Sequence, residues 1–319
     1  MKPEALPAFE SLDRLATVEM RPPTSPSGIM SGFYALAREG RERPLTHDVA
    51  AALLERQAEP VLIVTGLVDS ARFPQGEVDG PIGSLALARA LALLGSEVTI
   101  VIDAEALGPV ARIAEHAALE RVTLREADFT GDAAARAFAE TFGVVIGVEK
   151  LGRNAIGGRH LVWGTPVEAG DPYADEYFRA AQAAGALTVA VGDNGNEIGF
   201  GGIREAAESL TPAGVTVAGG FFAATGVDQF LPAAVSNLGC YAIAAALAVL
   251  SRRAELAMSG EQVREWTGLG LASGLRSGGV DDPGFVGDDG IPLRYVAAHA
   301  ELLAGVVHQS LLGEPWNAH

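Results

Sequence analysis

Asp193, Asn194, Asn196 and Glu197 fall within five residues, directly after the apolar run 187–191. That run reads as a buried strand. The loop it feeds also holds Gly192, Gly195, Gly199, Gly201 and Gly202. In open α/β sheets ligands bind beyond the carboxyl ends of strands, and glycines let backbone approach a ligand closely. Two carboxylates and two amides held in such a loop can grip an ammonium, a metal ion or a proton in transit. The plainer alternative is a tight turn whose Asp and Asn side chains bond their own backbone. Four polar groups so soon after a core strand favour chemistry.

Two more apolar runs, 61–65 and 144–148, feed loops of the same kind. The first leads to Glu77 and Asp79, the second to Glu149, Lys150, Arg153 and Asn154. Parallel strands would bring all three loops to one rim. Arg153 has two readings, an ion pair with Glu149 or a planar fork for a substrate carboxylate. Arg276-Ser277-Gly278-Gly279 is either an anion site, where a glycine-rich turn exposes N–H groups beside an arginine, or a helix end followed by a solvated turn. Ser236 and Asn237 open an apolar helix and read as its N-cap, a position that also binds anions.

The remaining candidates are weaker. Lys150 could form a Schiff base only if burial lowered its pKa. His299 is one of six histidines, no two of which have HExxH spacing; a satisfied helix histidine is its plain reading. Cys240 is the sole cysteine and sits in an apolar stretch, as a small buried hydrophobe would. There is no P-loop, no G-x-S-x-G elbow and no complete G-x-G-x-x-G near 199–202. ATP-driven and serine-hydrolase chemistry lose support.

These loops need a scaffold. Strand patterns at 61–65, 98–102, 122–124, 144–148 and 187–191 alternate with helix patterns at 82–94, 109–118, 132–142 and 172–184. The alternation implies βαβ units, hence an α/β fold with a mostly parallel, Rossmann-like sheet flanked by helices. The C-terminal part turns helix-rich (203–210, 237–252, 261–275, 293–312), with short strands expected at 215–218 and 228–234. Residues 1–58 read as an N-terminal extension packed on a single domain, 59–319. The extension carries a Pro/Ser/Gly stretch at 21–28 and a helix near 48–57.

Composition narrows the function. The chain has 319 residues, 49% of them hydrophobic, and a net charge of −17, so a large core can form. Nucleic acids and anionic membranes need a basic surface and are not expected partners. The uncharged segment 233–250 reads as a buried core helix, since its Ser, Asn and Gly and its many alanines suit a membrane span poorly. The N-terminus lacks the pattern of a signal peptide, and a lone cysteine suits a reducing cytoplasm. Homo-oligomer formation stays open.

Asp-x-Gly-Asn-Glu-x-Gly-x-Gly at 193–201, Val-Ser-Asn-x-Gly-x-Tyr-Ala at 235–242 and Glu-x-Asp-Gly-Pro-x-Gly at 77–83 resemble the D-glutamate cyclase family. So do Glu-Lys-x-Gly-Arg at 149–153, Leu-Arg-Ser-Gly at 275–278, Asp-Gly-Ile-Pro at 289–292 and His-Ala-Glu at 299–301. The segments follow the family's order. The resemblance implies a hydro-lyase that turns D-glutamate into the lactam 5-oxo-D-proline with loss of water.

It also implies roles. Asp193, Glu197 and Glu149 become the catalytic carboxylates, with Asp193 or Glu197 as base. Asn194 and Asn196 orient substrate, Arg153 or Arg276 holds its α-carboxylate, and Asn154, Ser236, Asn237, Ser277 and His299 complete the substrate site. Glu77 and Asp79 offer hard oxygen ligands for a divalent ion, with Mg²⁺ or Mn²⁺ the suited choices; a metal requirement is left open. Asn194, Leu238 and Cys240 depart from the family's usual residues. A cyclase or lyase acting on another amino acid, or a non-catalytic amino-acid or nucleotide sensor, is therefore kept as an alternative.

Overall fold

The computed structural model describes residues 6–23 and 25–312. Six parallel strands form the central sheet: β1 (Val61–Thr65), β2 (Val98–Ile102), β3 (Val122–Glu126), β4 (Val144–Val148), β5 (Leu187–Gly192) and β6 (Gln229–Pro232). Their order is β3-β2-β1-β4-β5-β6. The chain builds outward from β1 to β3, then returns to β4 and builds the other way. The crevice beyond β1 and β4 is thus the topological switch point, where such sheets take ligands.

The strands alternate as a doubly covered sheet requires. Val61 and Ile63 of β1 enter one core, and Leu62 and Val64 the other. On the first face lie α3 (Leu45–Glu55), α4 (Pro81–Leu93), α5 (Ala104–His116), α9 (Ser236–Ser251), α10 (Gly260–Ala272) and α11 (Leu293–Leu311). On the second lie α6 (Asp132–Ala139) and α7 (Ala174–Ala183). The uncharged helix α9 is buried from Ser236 to Val249, and Cys240 packs inside that core. No helix among the described residues is long and apolar enough to cross a membrane.

Residues ahead of the sheet form α1 (Leu6–Ala16) and α2 (Met30–Arg38) in addition to α3. Of these helices the sequence pattern points only to the third; α1 and α2 flank the Pro/Ser/Gly stretch at 21–28. Phe9, Leu12 and Ala16 of α1 share the main core with α9 and α11. The strand expected at 215–218 is irregular, because Gly214, Gly219 and Gly220 take left-handed turns and β6 already ends the sheet. Helix α5 starts five residues before its expected proline and carries Pro109 inside. After the four-residue α8 (Arg204–Ala207), the last regular pieces before α11 are β7 (Gly287–Asp288) and β8 (Ile291–Pro292). They pair through the two-residue turn Asp289-Gly290, both with positive φ, the hairpin an Asp-Gly pair favours.

Candidate active site

Two helices at the switch point cap one another. Helix α9 has no cap of its own. Asp79 supplies it from the loop before α4, accepting from Ser236 N at 3.0 Å and Asn237 N at 2.7 Å. Helix α4 also lacks its own cap. Asn237 supplies that one, its Oδ1 accepting from Gly80 N at 3.0 Å and Gly83 N at 2.5 Å. Each side chain satisfies donors that a buried helix start would otherwise orphan. Gly80 has φ +93°, and a Cβ there would lie 2.8 Å from both Glu149 Cβ and Thr65 Oγ1. That close approach seats Asp79 beside the end of β4.

Glu149 follows β4 with φ +47°, a costly conformation for a non-glycine residue that clusters at functional sites. Ser236 Oγ donates to its Oε2 at 2.6 Å. Beyond β5, Asp193 Oδ2 accepts from Arg21 Nη1 at 3.0 Å. The same nitrogen donates to Asn194 Oδ1 at 2.9 Å and Asp289 Oδ2 at 3.0 Å. The Asn194 amide donates to Asp193 Oδ1. One oxygen each from Asp79, Glu149 and Asp193 lies within 4.8 Å of the others, and all three residues are buried. Glu77 closes the rim: a Cβ on Gly278 would stand 2.1 Å from its Oε1 and 2.6 Å from Asp289 Oδ1. Only glycine lets both carboxylates reach that backbone.

Seven carboxylates, those of Glu77, Asp79, Glu149, Asp193, Glu197, Asp288 and Asp289, are thus buried at one end of the sheet, with Arg21 the cation bonded among them. Two ionised carboxylates within 4.8 Å of each other repel by about 3.5 kcal/mol or more at an effective dielectric of about 20. The cluster therefore holds protons at neutral pH. Burial and Asp289 push Asp79 up to about 7, against three backbone N–H donors. Burial, Asp193 and Glu197 raise Glu149 well above the carboxylate range. Burial and Asp289 do the same to Glu77. Burial raises Asp193 too, with Arg21 pulling back toward the ionised form.

The remaining residues named from sequence divide. Glu197 turns back on its own loop, accepting from Gly195 N at 2.8 Å and Asn194 N at 3.3 Å, so it shapes the loop that presents Asp193. Arg276 stays at the rim, bridged to Glu77 through the backbone, with its Nη1 on Leu275 O. Ser277 Oγ accepts from Gly290 N and fixes the hairpin.

Arg153 pairs with neither Glu149 nor the rim. Its guanidinium turns to Pro172 O at 2.6 Å and Glu176 at 3.6 Å, because α7 offers a carboxylate already ringed by arginines. The side chain of Asn154 bonds Ala218 O and Gly220 O and organises its own loop. Asn196 donates to His160 O at 2.7 Å. His299 Nε2 meets Leu15 O at 2.7 Å, tying α11 to the end of α1. Burial lowers its pKa, so it is held neutral. Lys150 is locked on both oxygens of Asp103 at 3.0 and 2.9 Å, which removes the Schiff-base reading. Sequence reasoning missed Arg21, Asp288 and Asp289 as site residues. The Asp-Gly hairpin signal could have found the two aspartates; Arg21 had none.

An all-parallel sheet of this order, with a buried carboxylate cluster at its switch point, defines a doubly wound α/β protein. Residues 43–303 match the family described as D-glutamate cyclase-like, C-terminal, and the chain belongs to that family. Arg21 lies ahead of the matched segment. Human mitochondrial D-glutamate cyclase is 32% identical over 223 residues, 63% of this chain and 34% of that protein. The chain thus spans about a third of that relative's length. A crystal structure of RecJ with Mn²⁺ from Thermus thermophilus matches 97% of this chain and 43% of its own, at 16% identity and a TM-score of 0.35. That likeness is too slight to bear on fold or site.

Proposed function

We propose that this chain cyclises D-glutamate to 5-oxo-D-proline with loss of water. One observation carries the reading: the buried oxygen triangle of Asp79, Glu149 and Asp193. An ammonium nitrogen that donates about 2.8 Å to three acceptors sets them about 4.6 Å apart. The three oxygens lie within 4.8 Å of one another, which admits that spacing, so the triangle suits the substrate's α-ammonium, and its members can take that group's protons.

In the reaction a bond forms between the α-nitrogen and the γ-carboxyl carbon, and one γ C–O bond breaks. The nitrogen gives up two protons in all, and the departing oxygen collects two and leaves as water. The carboxyl groups thus end as they began. Asp193, beside the Arg21 guanidinium, is the member suited to act as base. Glu149, with no cation in contact among the described residues, is the one suited to carry the proton delivered to the leaving oxygen. Two carboxyls whose surroundings separate their proton affinities divide such work. Holding the substrate folded for ring closure supplies much of the remaining advantage.

The same three carboxylates are hard donors of the kind Mg²⁺ or Mn²⁺ takes, once drawn in to about 2.1 Å from the ion. Such an ion, held by Asp79, Glu149 and Asp193, would offset the cluster's charge and polarise a carboxyl oxygen. The lone buried Cys240 suits a reducing compartment such as the cytoplasm. Incubation with D- and L-glutamate, with and without Mn²⁺, followed by mass spectrometry for the product lighter by one water, tests the reading. Lactam from D-glutamate above the Asp193→Asn background is expected. Binding without turnover across amino acids would replace the enzyme with a sensor, and turnover of a different amino acid would change the substrate.

A further inference from the structure

Arg21 uses one corner of its guanidinium. Nη1 meets Asp193, Asn194 and Asp289 at 2.9–3.0 Å, while Nε and Nη2 are buried and have no partner among the described residues. The side chain is 2% exposed. Nε–H and Nη2–H lie side by side on the planar group and form the fork that takes a carboxylate bidentately. A buried arginine rarely leaves that edge unbonded, since orphaned buried donors are disfavoured.

Its position is built. Glu19 accepts from Gly28 N at 2.9 and 2.8 Å and from Met30 N at 3.0 Å, which closes 19–28 into a loop. Pro22 packs against Gly290 and Ser25 against Gly279, so the loop lies on the hairpin that carries Asp289. His299 holds the α1 end from which it departs. Ser25 Oγ and Asp288 Oδ1 are also buried and unpartnered among the described residues. Unpartnered buried groups thus occur both on this segment (Arg21, Ser25) and on the β7–β8 hairpin it packs against (Asp288).

We infer that the Nε–Nη2 edge of Arg21 receives the α-carboxylate of the amino-acid substrate, making Arg21 the residue that selects for an α-amino acid over a simple amine. The inference rests on the reading given under Proposed function. It replaces Arg153, whose fork is turned to α7. Burial works against the charged guanidinium, but Asp193 and Asp289 outweigh it and raise its proton affinity further. Arg21 therefore cannot serve as an acid and suits a carboxylate that does not react. The fork is buried in this structure, so the Arg21 side chain must become accessible for the ligand to bind.

The test uses the full chain and compares wild type with Arg21→Lys and Arg21→Met. D-Glutamate turnover gives kcat and KM. 4-Aminobutyrate, which lacks only the α-carboxylate, serves as a competitive inhibitor of that turnover. For D-glutamate, Arg21→Met is expected to raise KM about 100-fold with a smaller fall in kcat, and Arg21→Lys to recover part of the loss. The inhibition constant of 4-aminobutyrate should stay within threefold across the three proteins. An equal loss for both ligands, or an unchanged KM, overturns the inference. If Arg21→Met fails to fold, the Arg21→Lys comparison decides alone.

If wild type does not cyclise D-glutamate, calorimetry against amino acids and their decarboxylated amines takes over. Arg21-dependent binding confined to the carboxylated set then sustains the inference while the proposed reaction falls. Binding that ignores Arg21, or no binding at all, ends it.

Discussion

Glu149 and Lys150 are consecutive, both buried, and belong to two opposed kinds of charged cluster. Lys150 satisfies Asp103 with two bonds and spends a third on Gly66 O; Asp103 also accepts from Asp171 N. Charge cancels and donors are met. Glu176 on α7 is likewise met by cations, in excess here: Arg136, Arg153 and Arg179. Burial alone would raise that carboxyl, but Arg136 and Arg179 outweigh it and hold it below the usual range. Around Glu149, seven carboxylates share one bonded arginine among the described residues. A balanced cluster needs nothing further. The unbalanced one is stable only with protons or a bound cation, which is the property acid–base chemistry uses. On the proposed function, imbalance, more than burial or proximity, would separate working charges from structural ones in this molecule.

The largest test of that contrast is Asp193→Asn. It should lower turnover at least about 10³-fold, since positioned acid–base groups contribute about 10²–10⁴-fold, and leave the circular dichroism spectrum unchanged. Near-normal turnover would remove Asp193 from the chemistry. The balanced cluster should answer in the opposite way. Lys150→Met strands a buried carboxylate and should lower stability by about 3–5 kcal/mol, read by urea unfolding. The kcat per folded molecule should stay within threefold. Adding Asp103→Leu should recover most of the stability, because a buried ion pair can be exchanged for apolar packing. A catalytic loss that survives this rescue would show that the two clusters are one machine.

The scaffold was legible because parallel strands are buried on both faces and show as short unbroken apolar runs. The runs 61–65, 98–102 and 144–148 match β1, β2 and β4 end for end. The rule that ligands bind at strand ends then pointed to Asp79, Glu149 and Asp193 without any side-chain geometry. What stayed hidden depends on direction. Arg153 has the residue type of a carboxylate clamp, but nothing local tells that Glu176, on another helix, captures it. Arg21 precedes two prolines in the Pro/Ser/Gly stretch of the extension, which carries no sign of chemistry; only tertiary packing carries it to Asp193. The N-cap reading of Ser236 and Asn237 does not hold for their own helix: Asp79, from a distant loop, caps α9, and Asn237 caps α4 instead, a partnership that no local signal in the sequence shows.

Acidity sharpens the contrast at smaller amplitude. In the folded chain Asp79 keeps its proton to about pH 7, against 3.8 for its ordinary value. Between those limits the native state binds more protons than the unfolded state, so stability falls as pH rises. For the ligand-free chain Tm should drop by at least about 3 °C from pH 5 to pH 8, in a calorimetric scan. Mg²⁺ or Mn²⁺ bound in the oxygen triangle would flatten the fall by taking over the protons' role, and EDTA would restore it. Glu176 contributes in the reverse sense and lower down: its carboxyl is held below the ordinary 4.5, so its share is lost only as pH drops under that value. A Tm that rises from pH 5 to pH 8 would mean that the carboxyls around Glu149 are not short of cations.

The smallest effect belongs to Arg153→Met. Its side chain is 27% exposed, and Glu176 keeps Arg136 at 2.6 Å and Arg179 at close range without it. Partly exposed ion pairs contribute about 0–1 kcal/mol, so stability should fall by about 1 kcal/mol or less. KM for D-glutamate should stay within threefold, in the same assay in which Arg21→Met raises it about 100-fold. The two arginines answer one question in opposite ways. One has its planar edge spent on α7, and the other has that edge buried and free. A tenfold rise in KM for Arg153→Met, with Arg21→Met silent, would hand the carboxylate to the loop after β4 and would make charge balance a poor guide to which buried groups in this fold meet the substrate.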